Sequence, residues 1–187
     1  MDELLYLHRV NADHVTHLVA AVGDHWDSPT PCADWSVRQL VTHLTSEQLW
    51  APELLAGRTP AEVGDRFDGD VLGDDPVTSW RLAVDAALAA FAADGALDRT
   101  VELSSGPRPA REYLEEMVTD LAIHGWDLAT ALHVDETIDP PTVERLLIEW
   151  SGRVDQLRHS PMFGDPLPST PSDDQQTQLL ALFGRRG

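Results

Sequence analysis

Apolar residues recur at helical spacing in one segment after another of this chain, and that period limits its fold more than any other feature. Over 2–22, Leu4, Leu7, Leu18 and Val22 line one side of a helix, and Gly23 with Asp24 read as its end. Ser36 followed by Gln39 is a capping-box pattern. The helix that it opens carries Val37, Leu40, Val41 and Leu44 on one face and runs toward Leu55, with Gly57 as a stop. Pro52 lies inside that span and is expected to end or kink it. A third helix over 77–93 aligns Trp80, Val84, Leu88 and Phe91. A fourth over 110–132 aligns Leu114, Met117, Leu121, His124 and Leu128. A fifth over 140–157 aligns Val143, Leu146, Leu147, Trp150 and Val154. The stretch 57–76 is rich in Gly, Asp and Pro and reads as a long surface loop with one helical turn, placed where a lid could lie. The connection 101–109 has room for a short extended piece, and 160–176 is a second Pro- and Ser-rich loop. A terminal segment with Leu179, Leu180, Leu182 and Phe183 is expected to fold back over the bundle. Nothing alternates convincingly enough for strands. The expected class is all-α, a bundle of four main helices with additional short helices and long loops, in one domain over 1–187.

Composition narrows the function classes. With 187 residues and 42% hydrophobic content the chain can bury a real core, yet no run approaches the roughly 18 apolar residues of a membrane span. The N-terminus opens with acids and does not read as a secretory leader. Cys32 is the one cysteine, so no internal disulfide can form and a reducing cytoplasm is the simplest home. Acids outnumber bases 32 to 13, a net charge of −19, and that field repels nucleic acid and anionic membrane surfaces. All 13 bases are arginine, which removes Schiff-base lysine chemistry and the lysine of a phosphate loop.

The sharpest chemical signal is DLAIHGWDLA, from Asp120 to Ala129. Asp120 and His124 are four apart, so a helix stacks them one turn above the other, where a carboxylate and an imidazole can share one metal ion. His124 lies on the apolar stripe and Asp120 at its edge; a buried carboxylate is costly unless paired or bound to a cation. Such pairs also arise by chance, and the competing reading is a core-edge histidine hydrogen-bonded to a neighbouring acid. His43, at the flank of the apolar face of the second helix, would complete two histidines and a carboxylate, a set that suits zinc with an open position or non-haem iron. Its plainer reading is a half-buried residue on a helix border. His8 is its one serious rival. Asp127, three residues after His124, is a candidate acceptor for the second nitrogen of a ligating histidine, here assigned to His43 across the bundle, or else a solvated acid or arginine partner. Trp126 reads as packing more readily than as a site wall, and Glu47 as a surface acid more readily than as a further ligand or base. Cys32 lacks a local basic environment that would make it a thiolate and reads as a small buried side chain before the helix.

PTPCADWSVRQLVTHL, followed some distance later by DLAIHGWDLA and closed by LLALFGR, resembles the metal-binding domain of the mycothiol-dependent maleylpyruvate isomerase group, within the wider DinB-like superfamily. The resemblance spans most of the chain, and the combination of PTPC–DW, THL and HGWDLA carries it. It implies a four-helix bundle with a divalent metal at one end, commonly zinc, with nickel or ferrous iron as alternatives. By motif the ligands fall on His43, Asp120 and His124, the residues that periodicity also selects. The characterised isomerase has a glutamate where this chain has Asp120, one methylene shorter, and an additional C-terminal domain beyond the span of this chain. Isomerase activity itself is therefore not carried over.

The leading expectation is a metalloenzyme dependent on a small-molecule thiol, mycothiol by resemblance, that acts on a small electrophilic substrate by S-transfer, conjugation or isomerisation. Asp127 would orient a ligand or manage a proton, and Arg108 and Arg111 could meet substrate carboxylates. The alternatives are a metal-dependent hydrolase, a non-catalytic metal- or ligand-binding protein, and a bundle whose His and Asp are structural. No nucleic-acid or membrane partner is expected, and a second copy is a candidate partner, since such bundles often pair.

Overall fold

A computed structural model describes residues 2–32, 35–157 and 163–186. Four long helices make the body: α1 (Glu3–Ala21), α2 (Val37–Leu55), α4 (Pro76–Phe91) and α5 (Ala110–Leu132). α2 lies along α4 and α1 along α5, and contacts of α1 with α4 and of α2 with α5 close the ring. Apart from one short hairpin the fold is all-α, the four-helix bundle that the helical periodicity and the motifs imply.

The caps are those that the sequence spells. Asp2 accepts from the Leu4 amide at the start of α1. The Ser36 hydroxyl accepts from the Gln39 amide while the Gln39 side chain accepts from the Ser36 amide, so both arms of the capping box are made. Asp75 and Asp139 cap α4 and α6 (Pro140–Ser151) with one backbone bond each, accepting from the Thr78 and Thr142 amides. Pro52 neither ends nor breaks α2, which runs on to Leu55. The burial of Ala51, Leu54 and Leu55 holds that last turn in place despite the missing N–H.

Three further expectations change in detail. The connection before α5 is a true antiparallel hairpin, β1 (Thr100–Leu103) with β2 (Gly106–Pro109), too short to show alternation in sequence. The fifth helix stops early: α6 (Pro140–Ser151) ends at Gly152, and a separate turn, α7 (Val154–Leu157), follows. The loop 57–76 does contain its one helical turn, α3 (Pro60–Val63), pinned by buried Val63 and Leu72. The terminal helix α8 (Gln175–Leu182) packs against α6 and buries Leu179, Leu180 and Phe183. No helix among the described residues is long and apolar enough to cross a membrane. The first three residues of the expected loop 160–176 lie outside the described residues.

α5 is the axis of the molecule. From Met117 to Ala129 every residue is buried, which a one-sided stripe does not predict. Asp120 is therefore an interior carboxylate, 6% exposed, and not an edge residue.

Candidate metal centre

Two helices bring the expected ligands together. α2 presents His43 and α5 presents Asp120 and His124, whose side chains meet one helical turn apart. One ligand atom from each of His43, Asp120 and His124 lies within 4.8 Å of the others. His43 Nε2 donates to Asp120 Oδ1 at 3.1 Å, and His124 Nε2 is 3.5 Å from the same oxygen. His8 is not in this group. It is buried in the core edge-on to Phe91, with Gln48 as its polar neighbour, and burial pulls its imidazole down to about 4.

Asp127 turns to His124, not to His43. His124 Nδ1 donates to Asp127 Oδ2 at 2.9 Å; a carboxylate only accepts, so Nδ1 carries a proton, and in the neutral ring that tautomer leaves the Nε2 lone pair for a ligand. The i, i+3 spacing on one helix makes this contact local, whereas His43 approaches from another helix. Arg185 then clamps Asp127 from the far end of the chain, Nε to Oδ1 at 3.1 Å and an amino nitrogen to Oδ2 at 2.8 Å, while its third nitrogen donates to the Phe183 carbonyl. Burial works against ionisation of Asp127, but His124 and Arg185 outweigh it and hold the carboxyl below its usual range.

Electrostatics mark the same spot. Burial opposes charge on both His43 and Asp120. Their mutual attraction prevails, raising the imidazole and lowering the carboxyl. In this group two buried atoms have no hydrogen-bond partner among the described residues: His124 Nε2 and Asp120 Oδ2. Unsatisfied buried polar atoms are rare and costly, and an imidazole lone pair beside a carboxylate oxygen is a donor set that fits a divalent cation. A second group, Cys32 with His124 and Asp127, is also close enough to hold an ion. There the Asp127 oxygens are already committed to His124 and Arg185, so the first group fits better. Cys32 does have a basic neighbour after all, Arg185, which lies 153 positions away in sequence (185 − 32). Burial and then the nearby carboxylates nonetheless hold its thiol above the usual value.

The walls were hidden in the sequence. Trp35 tilts over both histidines, with ring centroids 5.0 Å from His43 and 5.8 Å from His124, and Phe163 stacks on His124 at 5.6 Å. Trp35 is placed by the PTPC turn: Thr30 binds the Trp35 carbonyl through both its amide and its hydroxyl. Trp126 belongs to the apolar core. Beside Asp120 opens a cavity of about 680 Å³ between α2, the hairpin, α5 and α6. Glu47 lines it and is no surface acid; burial and then Asp120 push its carboxyl up to about 7. Arg108 lies on the cavity wall near Glu112, whereas Arg111 is tied to Asp2 at 2.8 Å on the surface. The cavity had a legible signal: Tyr113, Glu116 and Asp120 repeat at helical spacing on one side of α5.

A profile of the mycothiol maleylpyruvate isomerase N-terminal domain matches residues 8–129, from α1 through the whole HGWDLA motif. The chain belongs to that family. Two Mycobacterium tuberculosis proteins, both described as uncharacterized, Rv0738 of strain ATCC 25618 / H37Rv and MT0763 of strain CDC 1551 / Oshkosh, are each 30% identical over 99% of this chain and 98% of their own length. Among solved structures, a crystal structure of a histidine-to-alanine mutant of mycothiol-dependent maleylpyruvate isomerase superposes with a TM-score of 0.66. It covers 82% of this chain and 71% of its own at 18% identity, a likeness of fold.

Proposed function

We propose that this family member is a metal-dependent enzyme, built as one domain over 1–187, in which His43, Asp120 and His124 hold a divalent ion, zinc first, and a low-molecular-weight thiol such as mycothiol attacks a small electrophile. The observation that carries the reading is the convergence of His43, Asp120 and His124, with His124 Nε2 and Asp120 Oδ2 buried and without a hydrogen bond among the described residues, at the wall of a cavity large enough for a small molecule. When bound, such an ion lowers the pKa of a coordinated thiol and holds it as a nucleophilic thiolate. The protein's own groups supply the rest. Asp127 fixes the His124 tautomer and ring plane, and Arg185 fixes Asp127. Trp35 and Phe163 shield the imidazoles from water. Glu47, at about 7, is poised to take or return a proton at the cavity wall near neutral pH. The chain's membership of a family named for mycothiol supports the choice of thiol.

The same Glu47 favours one second reading, metal-assisted hydrolysis with Glu47 as general base and no thiol. Metal content measured by mass spectrometry on protein purified without chelator, beside His43→Ala and His124→Ala, tests the site. Near-stoichiometric metal in the parent and its loss in both variants is expected, and a metal-free parent after zinc or nickel is supplied overturns the reading. Turnover with and without added thiol then separates the two chemistries.

A further inference from the structure

The cavity beside the proposed metal centre has a polarity of its own. Of its lining residues three carry carboxyl groups, Glu47, Glu116 and Asp120, and one a guanidinium, Arg108, which already faces Glu112 at 3.6 Å. Asp120 is spoken for by the metal centre, which leaves Glu47 and Glu116 as the acids available to a guest. Tyr113 lines the same space. Its side chain is only 4% exposed, and its hydroxyl has no hydrogen-bond partner among the described residues. Burial and then Glu47, Glu116 and Asp120 keep that hydroxyl protonated, so it can accept from a guest while donating to a carboxylate. The remaining lining is largely apolar and includes Trp50, Met117 and Trp150. Aromatic faces, carboxylates and an unsatisfied hydroxyl around an apolar space are the elements that receive an ammonium group on a hydrophobic body. The field of a chain with net charge −19 concentrates cations and repels anions before they reach it.

We propose that the cavity between α2, the hairpin and α5 binds a hydrophobic amine, its ammonium between Glu47, Glu116 and Tyr113 and its apolar body against Trp50, Met117 and Trp150, and that it rejects carboxylate-bearing molecules of the same shape. The inference deepens the functional reading above and rests on it only in calling the guest a substrate.

The test uses three probes of one shape, phenethylamine, phenethyl alcohol and hydrocinnamate, titrated calorimetrically near neutral pH into the zinc-loaded and the chelator-treated full chain. Saturable binding of the amine at least about tenfold tighter than that of the carboxylate is expected in both forms. Glu116→Gln and Glu47→Gln are each expected to weaken the amine and leave the alcohol nearly unchanged; melting temperatures verify that each variant is folded, and either variant alone suffices. A carboxylate that binds as well as the amine, a preference that survives in the folded amide variants, or no binding of any probe in either form overturns the proposal. Selective amine binding in a protein that takes up no metal would sustain this inference while the metalloenzyme reading fell.

Discussion

At the scale of single residues, the proposed metal centre is expected to depend on Asp127 as much as on its proposed ligands. Its carboxylate joins His124 to Arg185, and all three side chains are buried. Asp127→Asn keeps the shape but removes the charge, and leaves the Arg185 guanidinium without its ionic partner. Metal affinity, measured by competition with a chromophoric chelator, is expected to fall roughly 10–100-fold, the usual cost of losing the partner of a ligating imidazole. Chemical denaturation should show a loss of about 3–5 kcal/mol for Asp127→Ala, where the charge is left buried and bare. An Asn variant with parental affinity would show that the carboxylate does not orient the ligand. His8 gives a separate expectation. Its unfolded imidazole takes a proton near the ordinary 6.5, the buried one only near 4. Between those values the unfolded chain binds more protons, so stability falls as pH drops through the window, by up to about 3 kcal/mol. Urea denaturation across that range should show the parent losing more than His8→Leu; identical pH slopes would refute the assignment.

At the scale of elements, position is set by how each helix begins and how the chain ends. α2 carries His43 two turns from its capping box. Ser36→Ala removes one arm, and a loss of about 1 kcal/mol is expected in denaturation experiments. The chain end is fixed by Gly184, whose φ of +76° and whose closeness to Gly164 both exclude a side chain: a Cβ there would sit 2.8 Å from the Gly164 carbonyl carbon. Gly184→Ala is expected to cost roughly 1–3 kcal/mol in strain and to draw Arg185 off Asp127. Thermal unfolding and chelator competition should therefore fall together. Unchanged metal affinity in a destabilised variant would separate the turn from the centre.

At the scale of the whole molecule, 32 acids against 13 arginines leave a self-repelling surface. Ion pairs such as Arg145 with Glu115 and Arg38 with Asp70 engage only part of that excess. Simple salt screens exposed charges beyond about 10 Å at 0.1 M, so the melting temperature is expected to rise with sodium chloride. A flat or falling dependence would mean that attractive pairs dominate the surface. The same field bears on what reaches the cavity, where Glu47 and Glu116 extend it inward.

Periodicity and capping by themselves determined the helices, because apolar spacing and N-cap chemistry are local: the capping box at Ser36, the stripe of α4 and the pairing of Asp120 with His124 all follow from neighbours within two turns. Periodicity put His43 at the flank of its helix face and the motif resemblance pointed to the same residue, but no local rule supplies its approach to α5. What local rules could not decide was which faces would be covered. α5 is enclosed on every side between Met117 and Ala129 because other segments, α1 and α2 foremost, pack around it, so Asp120 became an interior charge, and Glu47 on α2 became a half-buried acid. Asp127 found Arg185, and Cys32 found the same guanidinium, across separations of 58 and 153 residues (185 − 127 and 185 − 32). Those contacts exist only after the C-terminal turn has packed back on the bundle. Burial and long-range charge set the chemistry of this centre, and both are properties of the assembled fold.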